Sequence, residues 1–275
     1  MVDVVCSEMP DAGARIHANV SVRAGGSAVN AAVAAAARGA SATVVGRIGR
    51  DPAGDLVLAE LAGQGIEATL ARDPDLPTGA AVAFAGPSVV ATRGANARFA
   101  VGDVPEAIDA DALFVSGFAL FQSGSTAAAS TAVERFAGAW VGIDVGSPDL
   151  AAAARDAEIL TAGRETVLLA TAEEARAMTG AEPEEAAHAL ASRCSVACVK
   201  LGEDGAIAVA GDHLERRRAD RARQSAFGAG DAFAAVFLVA LASGDPLGRA
   251  LERACDAGAR AAARPYDRQP WTSPR

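Results

Sequence analysis

Apolar residues fall along this chain in two rhythms. From residue 113 onward, short apolar runs alternate with Ala-rich stretches of helical length. Leu113-Phe114-Val115, Val141-Gly142-Ile143, Val167-Leu168-Leu169, Val196–Lys200 and Ala206–Ala210 read as strands. The segments 124–137, 149–157, 172–178, 183–192, 229–243 and 246–263 read as helices. Apolar runs without polar alternation suit strands buried on both faces, and strand–helix alternation builds a mostly parallel sheet covered on both sides. The first hundred residues behave differently. Val2–Cys6 is a short β-type run, and 16–22 alternates as Ile-His-Ala-Asn-Val-Ser-Val, the period of a strand with one wet face. The segments 80–85 and 88–92 read as a hairpin across Gly86-Pro87. These half-polar strands predict a small antiparallel flap on the main body, beside helices at 27–38 and 53–63 and a buried strand at Thr43-Val44-Val45.

Glycine turns open several of the predicted helices. Gly228-Ala229-Gly230-Asp231 feeds a run, Ala232 to Leu241, that is apolar on every face and so expected to be buried. Bare amides before a helix, aligned with its dipole, form an anion site, and Asp231 places a proton acceptor in the same mouth. Taken alone, the four residues fit an ordinary N-cap as well. Gly25-Gly26-Ser27-Ala28-Val29-Asn30 is a second such turn, with Asn30 on the first turn of its helix. Lys200-Leu201-Gly202-Glu203-Asp204-Gly205 is a polar glycine loop directly after a strand. Ligands of parallel α/β sheets bind where such loops leave the carboxyl ends of strands. Three of them suggest a ligand with more than one recognisable part.

Composition narrows the classes. The 275 residues suffice for one large α/β domain, and a hydrophobic share of 51% with only 4% aromatics means a core of Ala, Val and Leu. A net charge of −9 argues against nucleic acid and against an anionic membrane surface as partners. No membrane span or signal pattern is legible, which places the chain in the cytoplasm. Cys6, Cys194, Cys198 and Cys255 form no metal framework and read as inert buried thiols; His17, His188 and His213 are scattered. A zinc or Ser-His-Asp hydrolase therefore has little support. The chain has neither Gly-x-x-x-x-Gly-Lys-Ser/Thr nor a Gly-x-Gly-x-x-Gly opening a first βαβ unit, so a P-loop enzyme and a dinucleotide oxidoreductase both drop out.

Two stretches resemble the signatures of the ribokinase-like (PfkB) carbohydrate kinases. Gly25-Gly26-Ser27-Ala28-Val29-Asn30, followed by Gly46-Arg47-Ile48-Gly49-Arg50-Asp51-Pro52-Ala53-Gly54, is similar to the N-terminal one. Gly228-Ala229-Gly230-Asp231-Ala232-Phe233 is similar to the C-terminal one, and Arg93-Gly94-Ala95-Asn96-Ala97 and the 200–205 loop add to the likeness. The resemblance implies one domain over 1–275: a three-layer αβα sandwich around a mostly parallel sheet, with lid strands from about 2–22 and 80–92. It implies transfer of the γ-phosphate of ATP, with magnesium, to a hydroxyl of a sugar-like small molecule. Asp231 then matches the catalytic base, and the amides of Gly228, Ala229 and Gly230 the anion hole. Asp3, Gly25, Gly26 and Asn30 match acceptor ligands. Lys200, Gly202, Gly205 and Thr171 fall by the nucleotide, and Glu174 matches the acid that influences the metal. The flap strands could pair across a homodimer, since exposed edges invite pairing.

The chain departs from that pattern in three places. Only two residues precede Asp3, so the reading expects a sheet one strand short or a recorded start downstream of the true one. Ser225-Ala226-Phe227 stands where the family commonly has Asp-Thr before the glycines, which puts a monovalent-cation requirement in doubt. Thr171 replaces the asparagine of the usual Asn-x-x-Glu. The competing readings are a nucleoside kinase of the same fold, disfavoured by the aromatic-poor flap, and a catalytically weakened sugar- or nucleotide-binding relative.

Overall fold

The computed structural model describes residues 1–84, 88–156, 164–219 and 227–263, and the chain divides into two compact units. One comprises Met1–Phe99, Ala222–Ala232 and Gly258–Arg275, the other Ala100–Arg221 and Phe233–Ala257.

The first unit contains β1 (Val2–Cys6), β2 (Val20–Ala24), α1 (Ser27–Ala36), β3 (Thr43–Gly49), α2 (Pro52–Gly63), β4 (Glu67–Asp73), β5 (Thr78–Ala83) and β6 (Val89–Gly94). A four-stranded sheet runs β2-β1-β5-β6, and β3 pairs with β4 in a separate parallel ribbon. Val2, Ala24, Val29, Val33, Val44, Val57, Leu61 and Ile66 form its core. Two expectations need correction here. The second strand is Val20–Ala24 rather than 16–22, because its partner β1 is only five residues long. Beyond Cys6 the ladder is closed by bonds between Ser7 and Asn19: the Ser7 amide donates to the Asn19 carbonyl, and the Asn19 amide to Ser7 Oγ. Nor is the sheet purely antiparallel, since β1 and β5 run parallel at its centre. β5 and β6 do pair antiparallel, while Gly86 and Pro87 lie outside the described residues.

Half of the N-terminal signature serves packing in this unit. Asp51 caps α2 through the Gly54 amide and accepts bonds from the amide and hydroxyl of Thr78 at 2.7 and 2.6 Å. Thr78 Oγ1 in turn accepts from the Gly49 amide. A Cβ at Gly49 would lie 2.5 Å from the Thr78 nitrogen, and one at Gly54 would lie 2.7 Å from the Gly49 carbonyl oxygen. Both glycines are there to let backbones approach.

The second unit contains β7 (Ala112–Ser116), α3 (Gly117–Leu120), α4 (Thr126–Arg135), β8 (Trp140–Asp144), α5 (Ala151–Asp156), β9 (Glu165–Thr171), α6 (Ala172–Thr179), α7 (Pro183–Ala191), β10 (Val196–Lys200), β11 (Ala206–Ala210) and β12 (His213–Arg217). Two long helices, α8 (Ala229–Ala242) and α9 (Leu247–Ala262), complete the chain order. The sheet runs β12-β11-β10-β9-β8-β7, parallel from β7 to β10 and antiparallel at β11 and β12. Strand residues alternate between two buried clusters. Leu168, Ala197, Val199 and Ile207 face Val133, Met178 and Leu190 on one side. Val167, Leu169, Cys198 and Ala208 face Phe233, Phe237, Leu238 and Leu251 on the other. A strand with both faces dry needs continuous apolar sequence, which is what made these strands readable. Cys198 and Cys255 are buried, whereas Cys6 and Cys194 are only partly so, which corrects the reading of four buried thiols. Desolvation pushes the Cys194 and Cys255 thiols up to about 11, as for unreactive groups.

Candidate active site

Two helix N-termini meet in the first unit. α1 follows Gly26 and α8 follows Gly228, and both glycines have positive φ, +85° and +78°, a conformation other residues rarely adopt. Asn30, buried on the first turn of α1, donates from Nδ2 to Asp231 Oδ2 at 2.9 Å, across 201 residues of sequence. A Cβ on Gly228 would lie 3.5 Å from Asn30 Nδ2, so the glycine turn packs beside the same amide. The first intrahelical bond of α8 runs from the Ala232 amide to the Gly228 carbonyl. The amides of Ala229, Gly230 and Asp231 precede it, and a helix supplies no acceptor for such groups. A carboxylate on the third position of α8 and a cluster of amides therefore share one small region.

Asp3 sits on β1 in the same unit, fully buried, and neither carboxylate oxygen has a hydrogen-bond partner among the described residues. Gly25 makes room for it: an added Cβ there would fall 1.9 Å from the carboxyl carbon. Burial pushes the Asp3 carboxyl up to about 6; Arg23 and the Gly26 amide oppose the shift, and the Asp231 charge adds to it. Of the residues expected around the acceptor, the structure thus brings Gly25 to Asp3 and Asn30 to Asp231.

The second unit carries a different cluster, at the carboxyl ends of three adjacent parallel strands. Asp144 ends β8, Thr171 ends β9 and Lys200 ends β10. Lys200 Nζ donates to both oxygens of Asp144, at 2.9 and 2.7 Å, with both side chains largely buried. Thr171 caps α6, and its hydroxyl accepts from the Glu174 amide while Glu174 Oε2 accepts from the Thr171 amide. Glu174 is buried; desolvation raises its pKa, Asp144 adds to the rise, and Lys200 and the Thr171 amide oppose it. Thr171, Glu174 and Lys200 were readable from sequence, but Asp144 was not. Its signal was a lone acid closing the apolar run Val141-Gly142-Ile143, as Lys200 closes Val196–Val199.

The loop after β10 divides its two glycines. Gly202 (φ +64°) has open space around its Cα, whereas a Cβ on Gly205 (φ +94°) would strike the Arg217 carbonyl of β12 at 1.9 Å. Gly205 therefore has a packing reason to be glycine. Arg93-Gly94-Ala95-Asn96 locks onto β3: Asn96 Oδ1 accepts from the Arg47 amide, and Arg93 donates to the Asn96 carbonyl. Ser225 and Ala226 lie outside the described residues. Among the described residues there is no group of three or more His, Cys, Asp or Glu that could hold a metal, and no helix long and apolar enough to cross a membrane.

The sequence matches the profile of the pfkB family carbohydrate kinases over residues 4–273. No curated protein sequence matches the chain. Among solved structures it is similar to an adenosine kinase from Sinorhizobium meliloti, at 22% identity and a TM-score of 0.85, covering 99% of this chain and 94% of that one. It is similar also to a PfkB protein from Polaromonas sp. JS666 (26%, TM-score 0.77, 96% and 93%). A fructokinase from Vibrio cholerae O395, solved with fructose, ADP and calcium bound, matches at 23% and a TM-score of 0.78, covering 96% and 92%. The fold is thus the ribokinase-like α/β fold, with a mostly parallel sheet and a small separate one. Members of the family use ATP and a divalent metal. With the profile spanning nearly every residue, the chain belongs to the pfkB family of carbohydrate kinases and is a phosphotransferase that acts on an alcohol.

Proposed function

We propose that this kinase moves the γ-phosphate of ATP to a hydroxyl of a sugar or sugar-like polyol, with Asp231 as general base. The observation that carries the reading is the bond from Asn30 to Asp231, which joins the two glycine turns in one place. Asp231 takes the hydroxyl proton as the acceptor oxygen bonds to the γ-phosphorus and the bond to the ADP oxygen breaks. The amides of Gly228, Ala229 and Gly230 line the path of the migrating group, where fixed donors stabilise developing charge. Asn30 orients the Asp231 carboxylate, a more specific role than that of a simple acceptor ligand. Asp3, with two oxygens and no partner among the described residues, suits hydroxyl donors on the acceptor.

The nucleotide side of the reading falls to Thr171, Lys200, Gly202 and Gly205. Magnesium bound with the nucleotide supplies charge neutralisation on its phosphates, and it is commonly held through one or two carboxylates besides those phosphates. Asp144 already gives both oxygens to Lys200, so Glu174 is the carboxylate of this cluster that would hold the ion. A sugar is favoured over a nucleoside because β1, β2, β5 and β6 contain no aromatic residue on which a base could stack. The same sheet is read as a lid that pairs across a homodimer. Val22, Val4, Val82 and Val90 form one register row across it, with Val22 and Val90 53% and 68% exposed. Sedimentation equilibrium returning the mass of a single 27.5 kDa chain would refute the dimer.

The test is ADP release with Mg-ATP and a panel of sugars and nucleosides. Turnover on a sugar should fall about 10²–10⁴-fold in Asp231→Asn. Asn30→Ala should lower kcat as well as raise KM for the acceptor, leaving KM for ATP nearly unchanged. Full activity in Asp231→Asn sinks the assignment.

A further inference from the structure

Arg23 stands directly across from Asp3 in the β1–β2 register, and directly opposed residues point to the same face of a sheet. Their side chains are close enough for Arg23 to act on the Asp3 charge, yet no bond joins them. Arg23 Nε is buried without a partner among the described residues, as are both oxygens of Asp3. Three buried polar atoms on facing side chains, each unsatisfied, are rare in folded proteins and call for an explanation. Left as they are, such groups carry a desolvation penalty that an ordinary Asp–Arg bond would have removed.

The chemistry of the three atoms describes what satisfies them. A carboxylate only accepts, and a guanidinium only donates. A ligand carboxylate could serve Arg23 but not Asp3, and would lie beside both Asp3 and Asp231. An ammonium could serve Asp3 but not Arg23. A hydroxyl does both.

We propose that Arg23 is a specificity-determining residue of the acceptor site: a hydroxyl of an uncharged polyol, distinct from the one phosphorylated, lies between Asp3 and Arg23, donating to the carboxylate and accepting from Nε–H. The inference rests on the reading of Asp3 as an acceptor ligand and adds a second residue, from β2, to that reading. It also defines the substrate class more narrowly, as a polyol with a hydroxyl besides the reacting one and no acidic group at that position.

Isothermal titration of wild type, Arg23→Gln, Arg23→Lys and Asp3→Asn with D-fructose, D-ribose and a deoxy series of each tests it without requiring turnover. Removing the bridging hydroxyl should weaken binding by about tenfold to a hundredfold in wild type, the range for bonds to charged groups. In Arg23→Gln the parent sugar should already be weaker by at least about tenfold, and the same deoxygenation should then change affinity by less than threefold, the non-additivity expected of two partners in one contact. Arg23→Lys, which keeps the charge but not Nε–H, should resemble Arg23→Gln, and KM for ATP should stay within twofold in both. Thermal melting of each variant separates loss of binding from loss of fold. Arg23→Gln binding the sugars like wild type, or losing the same factor for every deoxy analogue, overturns the proposal while leaving the kinase reading intact. Sugar binding that depends on Arg23 and Asp3 with no ADP release on any substrate upholds it and sinks the kinase reading instead. No sugar binding at all overturns both.

Discussion

Both units gather buried charges at the ends of their elements, but they treat those charges in opposite ways. Around Asp144, Thr171, Glu174 and Lys200, partners are provided: Lys200 bonds both Asp144 oxygens, and Thr171 and Glu174 cap each other. Around Asp3 the Gly26 amide, the N-terminal charge and Arg23, its cross-strand neighbour, act on the carboxylate, yet none of them closes a well-formed hydrogen bond to it. The first arrangement is a finished scaffold that holds a strand-end surface in shape. The second has bonding capacity in reserve, and such capacity is what a small polar ligand can use. A site that hydrogen-bonds substrate hydroxyls discriminates steeply against analogues lacking them, because the protein groups are then left unpaired.

The contrast can be broken most directly at Lys200. Lys200→Met leaves Asp144 buried without its cation, and losing one partner of a buried pair costs about 3–5 kcal/mol. Urea denaturation should show that loss near pH 7, and an unchanged midpoint would mean the cluster is not the closed scaffold described. Asp3 should respond with the opposite sign. Its folded pKa of about 6 lies above the 3.8 of an ordinary aspartate, so the native state holds the proton more readily than the unfolded chain. Stability therefore declines as pH rises from about 4 to about 6 and stays lowered above that, by on the order of 3 kcal/mol. Asp3→Asn should make this decline shallower, leaving the part that the raised pKa of the buried Glu174 contributes. Whatever the buried amide costs does not vary with pH, so the slope of stability between pH 4 and 7 is the readout; an unchanged slope would remove Asp3 from the comparison. The smallest effect belongs to Thr171→Ala, which deletes one half of a reciprocal cap and should cost about 1 kcal/mol. Thermal melts that fall far more would show Thr171 holding the whole cluster rather than one helix end.

How much of this was legible beforehand follows from which interactions are local. The strands of the second unit announced themselves because burial on two faces demands unbroken apolar runs. β4, Glu-Ala-Thr-Leu-Ala-Arg-Asp, and β12, His-Leu-Glu-Arg-Arg, were missed because each pairs on one side only and carries charge along its length. The glycine turns at 25–26 and 228–230 were visible as motifs, since a helix entered through positive φ needs glycine in the sequence. That Asn30 reaches Asp231 was not visible, because nothing in either motif specifies the other. Asp144 was overlooked for a similar reason: its partner lies 56 residues away. Arg23 carried no motif, and only the strand register puts it opposite Asp3.

The clamp at Asp51 bears on how such a signature is interpreted. One carboxylate joins the start of α2 to β5, and through Thr78 to the end of β3, while two glycines beside it are hemmed in by backbone. Substitution at 49, 51 or 54 would disturb three elements at once without any of these residues needing to meet a substrate. Intolerance to change at Gly49, Asp51 and Gly54 is therefore a property of the joint between α2, β3 and β5, and saturation mutagenesis scored on folding alone should find it as sharply as a screen scored on catalysis.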